Sequence, residues 1–250
     1  MHNLGHTRSA NRRDHLLLTP DTFVRTPLPG MERGVAIIHV SPAAGAAFTQ
    51  YTAELEPGGT LGPAATLAPA QRFVYALSGS VDLATGSSFQ SIDPGGYAYL
   101  PAGLAHTFTA RSATRLTVIE KPYDSLVGVS APGMLVGREA DIISTALMGD
   151  PDLQVCSLLP DLPAFDFAVN TMTYQPGASL AMVEIHVMEH GLLMLEGGGI
   201  YRLGDAWHPV TAGDFIWMAP FCPQWFGALG KQPAKYLIYK DWNRHPLRYV

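Results

Sequence analysis

An internal repeat constrains the fold of this 250-residue chain more than any other feature of its sequence. Four pairs of segments recur in the same order, two at an offset of 118 residues and two with one residue of slippage: 75–79 with 193–197, 94–97 with 212–215, 56–58 with 175–177, and 119–121 with 238–240. Similarity at a fixed spacing is the signature of a structural unit that has been duplicated. The sequence therefore predicts two copies of one small domain.

Each copy is expected to be all-β. Short apolar or alternating runs are separated by turns rich in Gly and Pro, and six runs in the first copy are predicted strands: 34–40, 47–55, 73–77, 97–100, 106–110 and 116–120. Short strands at regular spacing are typical of a sandwich or a barrel. The fold class that we predict is therefore a tandem duplication of a small β-barrel.

The pattern of short runs also predicts where the two barrels begin and end. It loosens between the copies, where a short helix is conceivable at 139–148, and resumes afterwards. We predict four segments: an N-terminal extension at 1–32, a barrel at 33–121, a linker at 122–152 and a second barrel at 153–250.

Composition narrows the expected partners and compartment. The net charge of -5 leaves no general basic surface to neutralise phosphates, so we do not expect nucleic acid as a partner. Every apolar run is too short for a membrane span, and two cysteines cannot form the disulfide framework of a small secreted domain. We predict a soluble, cytoplasmic protein. His2, His6 and His15 are interpreted as part of a solvated terminus rather than as a metal-binding tail.

A group of candidate metal ligands lies in the second copy. Glu184 and His186 are two residues apart, which places them on one face if the segment is a strand, and His190 follows after a short interruption. One carboxylate and two imidazoles suit a divalent ion such as Mn²⁺, Fe²⁺ or Zn²⁺. The alternative is that these are ordinary surface or core residues.

Comparing the two copies restricts the candidate site to the second one. An offset of 118 residues places the three candidate ligands opposite Thr66, Ala68 and Arg72, which are not a plausible ligand set. In the second motif, His106 of the first copy corresponds to Gln224 of the second. We interpret His106 as packed or hydrogen-bonded, and we add Gln224 as a fourth candidate ligand because its amide oxygen can bind such an ion.

These motifs resemble those of the cupin superfamily, whose first motif is similar to HxHxxxE and whose second ends in His. Here the first motif reads ExHxxxH and the second ends in Gln, a combination similar to that of the (S)-ureidoglycine aminohydrolase family. The resemblance is carried by four segments that span the chain after its first fifteen residues: 16–30, 183–210, 213–225 and 236–244.

The resemblance implies a bicupin with two jelly-roll-like barrels that forms a homo-oligomer. It implies an Mn²⁺ enzyme of purine and allantoin breakdown that releases ammonia from (S)-ureidoglycine, a small molecule bearing a carboxylate. The implied metal ligands are the residues Glu184, His186, His190 and Gln224. Tyr201, Tyr236 and Lys240 match the family's substrate-binding positions, and Lys240, Tyr236 and Glu184 are the candidate catalytic residues.

Several interpretations of these residues remain open at the level of sequence. Lys240 alone could be a strand-end lysine with a solvated head, and Tyr201 and Tyr236 could be core aromatics. Cys222 is close enough in sequence to line the pocket, but nothing indicates a lowered thiol pKa, so we interpret it as a packing residue. The rival functions are another bicupin metalloenzyme, of the dioxygenase or decarboxylase type, and a non-catalytic ligand-binding bicupin.

Overall fold

The structure, a computed structural model, describes residues 6–63, 69–86 and 88–244. The chain divides into two compact units, an N-terminal one of Val24–Asp141 and a C-terminal one in which Met1–Phe23 joins Ile142–Val250. Apart from three 3-10 helices in the described ranges (Pro20–Thr22, Pro42–Ala44 and Glu139–Asp141), the regular elements are antiparallel strands. The all-β prediction is confirmed. In those ranges we find no helix with the length and apolarity that a bilayer crossing requires.

The chain begins with two short strands, β1 (Ala10–Asn11) and β2 (His15–Leu18), that belong to the C-terminal unit. In β2 His15 and Leu17 are buried, and the strand pairs with residues 215–218 of the C-terminal barrel. The first part of the segment predicted as an N-terminal extension, 1–32, therefore belongs to the C-terminal unit, because the apolar side of β2 is buried against that barrel. His15 lies in a sheet rather than in a solvated tail, His6 is exposed, and His2 lies outside the described residues.

The described residues of the N-terminal unit form ten strands in one curled sheet. They are β3 (Arg25–Thr26), β4 (Met31–Val40), β5 (Thr49–Leu61), β6 (Ala70–Ser78), β7 (Val81–Thr85), β8 (Ser88–Ile92), β9 (Gly96–Leu100), β10 (Thr107–Ala110), β11 (Thr114–Pro122) and β12 (Leu135–Arg138). The path through the sheet is β12-β9-β6-β11-β5-β10-β7-β8, with β4 against β5 and β3 against β4. All six predicted runs fall on strands.

One predicted turn in this unit is wrong. The residues Pro57, Gly58 and Gly59 lie inside β5 rather than ending a strand. The pairing of β5 with β4 shifts register beside them, at Arg33, and Gly58 has a positive φ of 74°. A Cβ on Gly59 would lie 2.5 Å from the carbonyl oxygen of Arg33. Glycine therefore allows the strand to bulge and continue where most sequences would turn.

As far as the structure describes it, the C-terminal unit adds nine strands to β1 and β2. They are β13 (Thr145–Leu147), β14 (Asp150–Ser157), β15 (Phe167–Tyr174), β16 (His190–Glu196), β17 (Gly198–Leu203), β18 (Ala206–Thr211), β19 (Phe215–Met218), β20 (Gln224–Ala228) and β21 (Ala234–Asp241). One sheet has the order β1-β2-β19-β16-β21-β15-β14-β13 and the other the order β18-β17-β20. Tyr174, Leu192, Tyr201, Phe226 and Tyr236 belong to the buried core of this unit.

The region expected to be a linker, 122–152, contains short strands that belong to the two units. Its first part supplies β12, which pairs with β9, and its last part supplies the hairpin of β13 and β14. The helix expected at 139–148 is reduced to the 3-10 turn Glu139–Asp141. Met148 and Gly149 both have positive φ, so the chain reverses there and residues 145–147 pair with β14 instead of continuing a helix.

Corresponding strand pairs in the two units have the same register, and this similarity was not visible in the sequence. The pair β6/β11 and the pair β16/β21 carry a register shift at matching places, between Arg115 and Leu116 and between Met194 and Glu196. Arg72 faces Glu120 across the first pair as His190 faces Lys240 across the second. Residues 118–120, and not 119–121 as the sequence suggested, therefore correspond to 238–240. The counterpart of Lys240 is a glutamate.

Buried charges occupy the interior of the N-terminal unit where the other unit has candidate ligands. Arg72 is 2% exposed and donates from Nε and Nη2 to Oε1 of Glu120, at 2.8 and 2.6 Å. Its Nη1 is 2.9 Å from Nε2 of His106, whose Nδ1 donates to the carbonyl of Leu104. His106 is hydrogen-bonded, as predicted. Thr66 and Ala68, the other positions compared in sequence, lie outside the described residues.

We expect Arg72→Met to lower the free energy of unfolding by about 3 to 5 kcal/mol, because it leaves the carboxylate of Glu120 buried without its partner. The measurement is urea unfolding. Arg115→Met is the matched control: Arg115 is half exposed in its ion pair with Glu54, and its loss should cost less than about 1 kcal/mol. Replacing both Arg72 and Glu120 by apolar residues should recover most of the loss. Equal stability of the Arg72 and Arg115 variants would contradict this account.

Candidate active site

A cavity of about 220 Å³ opens in the C-terminal unit. Its walls come from β13 to β17, β20, β21 and the chain between β15 and β16. The lining residues are Leu147, Met148, Val155, Asn170, Met172, Leu180, Glu184, His186, Met188, His190, Tyr201, Gln224, Tyr236, Ile238 and Lys240. All seven site residues proposed from the sequence are among them.

Glu184 and His186 approach the cavity from irregular chain rather than from the strand that the sequence suggested. The segment before β16 forms two isolated bridges, and in one of them the backbone of Glu184 pairs with that of Gln224 through hydrogen bonds of 2.8 and 2.9 Å. The backbone carbonyl of His186 accepts a further bond, of 2.7 Å, from the amide of Phe221. These bonds join the two motifs, so Gln224 is held beside Glu184 although forty residues of sequence separate them.

The acidic and imidazole groups cluster at one side of the cavity. Nε2 of His186 is 3.1 Å from Oε2 of Glu184, and the rings of His186 and His190 lie 5.2 Å apart. His190 is the first residue of β16 and is 4% exposed. Burial, reinforced by His186 and Lys240, lowers the pKa of His190 to about 3, so its imidazole is neutral at neutral pH.

The chemistry of the donors fits a divalent metal ion. His190 is hydrogen-bonded to the backbone of Met188, the kind of bond that orients a metal-binding imidazole, and its neutral ring keeps a nitrogen lone pair. Gln224 is 4% exposed, and its Oε1 accepts a hydrogen bond of 3.3 Å from the hydroxyl of Tyr201. Together with Glu184 and His186, these groups offer two oxygen and two nitrogen ligands, a set suited to a first-row ion.

Lys240 lies on β21, the neighbour of β16, and adds a positively charged group to the cavity lining. It faces His190 across the pairing of β16 with β21, and its Nζ lies 4.1 Å from the ring centre of Trp242. Burial lowers the pKa of Lys240, while the negative charges of Asp161 and Glu184 act in the other direction. A partly desolvated ammonium group of this kind gains strongly from an anionic ligand.

Two buried tyrosines complete the polar part of the cavity. Tyr201 and Tyr236 are 1% and 2% exposed, and the hydroxyl of Tyr236 is 2.7 Å from that of Tyr174. Burial raises the pKa of both Tyr201 and Tyr236 well above the ordinary value for tyrosine. Both keep their protons at neutral pH and can act as hydrogen-bond donors.

Sequence reasoning missed the cavity wall formed by β14 and β15. Val155, Asn170 and Met172 line the cavity from these strands, and the aromatic and β-branched residues within 167–174 were the sequence signal that could have located a strand there. Cys222, by contrast, is not among the lining residues. It is 3% exposed in the apolar core, and burial raises the pKa of its thiol to about 11, which agrees with a packed rather than a nucleophilic cysteine.

A second set of possible metal ligands lies elsewhere in the same unit. Among the described residues, one group of three Asp, Glu, His or Cys side chains has ligand atoms that all lie within 4.8 Å of one another, namely Asp14, His15 and Cys222. Glu184, His186 and His190 line a single cavity without all coming within that distance. The sequence did not predict the group because Asp14 and Cys222 are about two hundred residues apart.

Two antiparallel β-domains, one with a cavity that contains several metal-ligand side chains, are the features of a bicupin. The family model described as "Cupin domain" matches residues 170–239, and the one described as "EutQ-like cupin domain" matches residues 42–123. Among solved structures, a putative glyoxylate-induced protein from Pseudomonas aeruginosa has 30% identity and a TM-score of 0.87, covering 96% of this chain and 92% of that one. The protein Ylba from E. coli has 29% identity and a TM-score of 0.83, covering 96% of each.

The full-length relatives identify the family more narrowly. The (S)-ureidoglycine aminohydrolase of Arabidopsis thaliana is 41% identical over 246 residues, 97% of this chain and 80% of the plant protein. That of Escherichia coli K12 is 32% identical over 232 residues, 91% of this chain and 88% of the bacterial one. The chain belongs to the (S)-ureidoglycine aminohydrolase family and is therefore an enzyme. Oxalate decarboxylase of Bacillus subtilis shares the fold alone, with 11% identity and a TM-score of 0.71 over 95% of this chain and 80% of that one.

Proposed function

We propose that this enzyme hydrolyses (S)-ureidoglycine to (S)-ureidoglycolate and ammonia in allantoin and purine catabolism, with Mn²⁺ in the C-terminal cavity. One observation carries the proposal: four oxygen and nitrogen donors share a cavity with a desolvated lysine and two protonated tyrosines. The names of the relatives support the substrate. We further propose, from the family resemblance, that the protein is a cytoplasmic homo-oligomer.

The residues that would hold the ion are Glu184, His186, His190 and Gln224. A divalent ion held there would supply a Lewis acid that stabilises charge developing at the reacting carbon. The protein contributes to substrate binding through the net charge of the ligand set. Glu184 is its single formal anion, and His190 stays neutral because it is buried, so the set leaves positive charge for an anionic substrate.

Lys240 would bind the substrate carboxylate. Its ammonium group is partly desolvated, and the ring of Trp242 at 4.1 Å restricts the positions that the group can take. An ion pair with a carboxylate would restore the solvation that burial removes. Lys240 pairs with His190 on the neighbouring strand, so it would bind the substrate carboxylate next to the ligand cluster.

Tyr201 and Tyr236 would orient the rest of the molecule. Both hydroxyls are protonated, and both belong to the buried wall of the cavity, where water competes poorly. Hydrogen bonds between these hydroxyls and the substrate, together with Lys240, would fix the reacting carbon at several points and expose one face to water. The carbon–nitrogen bond to the amino group breaks, a bond to the water oxygen forms, and the protons of water are divided between the alcohol and ammonia.

The experiment is ammonia release from freshly generated ureidoglycine, with chiral analysis of the product, for enzyme stripped of metal and reloaded with Mn²⁺. We expect ammonia and ureidoglycolate in equal amounts, a single (S) product, and activity that depends on the ion. A racemic product formed at the uncatalysed rate would contradict the proposal. Oxygen consumption during turnover would instead identify a dioxygenase.

A further inference from the structure

A second cluster of metal-ligating side chains lies outside the cavity. It combines Asp14 and His15, from the N-terminal segment, with Cys222, from the loop between β19 and β20. Oδ1 of Asp14 is 2.9 Å from Nδ1 of His15, which is 3% exposed. A carboxylate, an imidazole and a thiol thus meet in a largely buried place that the catalytic proposal does not use.

Two buried imidazole nitrogens, one in this cluster and one beside it, are left without a hydrogen-bond partner. One is Nε2 of His15 and the other is Nε2 of His208, on β18. The two rings lie 5.5 Å apart and edge to face. Buried polar atoms are nearly always satisfied, and leaving one unsatisfied costs about 1 to 3 kcal/mol. The protein alone therefore leaves polar groups unsatisfied next to the place where Asp14, His15 and Cys222 meet.

We propose that this cluster is a second metal site for a Zn²⁺-class ion, with Asp14, His15 and Cys222 as ligands and His208 as the fourth. Oxygen, nitrogen and sulfur donors together suit Zn²⁺ and its close neighbours, whereas the catalytic set contains no sulfur. Four protein ligands make a closed, structural site. Binding displaces the thiol proton of Cys222 to solvent as the metal–sulfur bond forms. The proposal does not rest on the proposed function, because none of its ligands belongs to the catalytic cavity.

The position of the site defines what the ion does. His15 pairs with Met218 at the edge of the C-terminal sheet, and the amide of Ala219 donates to the carbonyl of Asp14 at 2.9 Å. Cys222 lies two residues before Gln224. The ion would therefore link the strand β2 to the loop that precedes Gln224. Its bonds would stabilise the short pairing of β2 with β19.

Cobalt substitution tests the site, because Co²⁺ bound to a thiolate shows an intense near-ultraviolet charge-transfer band that oxygen and nitrogen ligands do not produce. The full-length enzyme is stripped of metal, reloaded with Co²⁺ and compared with Cys222→Ser, His208→Ala and the control Cys156→Ser. We expect the band in the wild type and in Cys156→Ser, its loss in Cys222→Ser together with about one Co²⁺ fewer per chain, and a changed visible spectrum in His208→Ala.

The result does not depend on how well the variants fold. A wild-type enzyme that binds Co²⁺ without the thiolate band overturns the proposal by itself. So does a band that persists in Cys222→Ser, since the thiolate would then be that of Cys156. Measuring both the thiolate band and ammonia release distinguishes this site from the catalytic one. Glu184→Ala should keep the thiolate band even if it no longer releases ammonia.

Discussion

Glu184→Ala is expected to lose its bound Mn²⁺ and to release ammonia from ureidoglycine at least about 100-fold more slowly than the wild type. Glu184 is the single anionic donor of the proposed ligand set, and its carboxylate also contacts Nε2 of His186 at 3.1 Å. Its removal leaves one neutral amide oxygen and two imidazoles, a set that binds a hard divalent ion weakly. The measurements are the metal content after dialysis and the rate of ammonia release.

The control for this variant is Glu196→Ala. Glu196 is the last residue of β16, exposed and outside the cavity, so metal content and rate should stay near those of the wild type. His186→Ala and Gln224→Ala should follow Glu184→Ala, with the smaller loss for Gln224, whose ligand atom is uncharged. Full metal retention and an unchanged rate in all three variants would refute the ligand assignment.

Lys240→Met should keep its metal and still lose at least about 100-fold in kcat/KM. Methionine is close to lysine in length and fits the apolar contacts of β21, so the fold and the ligand set should persist. What disappears is the ammonium group whose burial makes it a strong partner for the substrate carboxylate. Placing the substrate carboxylate in a partly desolvated cavity without a counter-charge raises the free energy of the bound complex. Steady-state kinetics with a parallel metal analysis measures both expectations.

Lys231→Met is the matched control, because Lys231 is exposed in the loop before β21 and does not line the cavity. It should leave both quantities unchanged. Loss of metal in Lys240→Met would show that the lysine supports the ligand set rather than the substrate. A normal kcat/KM would remove Lys240 from the site.

Local patterns in the sequence were sufficient for much of this protein. Alternation and turn residues predicted short strands, because the side-chain period of a strand is visible in any segment of it. The repeat predicted two barrels of one kind, which the matching register shifts support. The cavity residues were predictable because functional side chains recur at short spacings, as in Glu184, His186 and His190. Each of these features is determined within a few residues or by comparison of two segments.

Other features depend on contacts that no local pattern carries. The sequence aligned residue 121 with Lys240, but the register of β6 with β11 places Glu120 there, and only strand pairing decides which residue faces Arg72. The strand β2 joins the distant C-terminal barrel because that barrel has an unpaired edge at β19.

What the sequence by itself determined is therefore the fold class, the duplication and the residues of one candidate site. What only the tertiary structure decided is which distant groups meet. Arg72 with Glu120 inside the N-terminal unit, and Asp14 with Cys222 in the C-terminal one, are juxtaposed by long-range pairing. The physical reason is that a strand has the same local energy wherever it pairs, so its partner and register are chosen by burial and hydrogen bonding summed over the whole sheet.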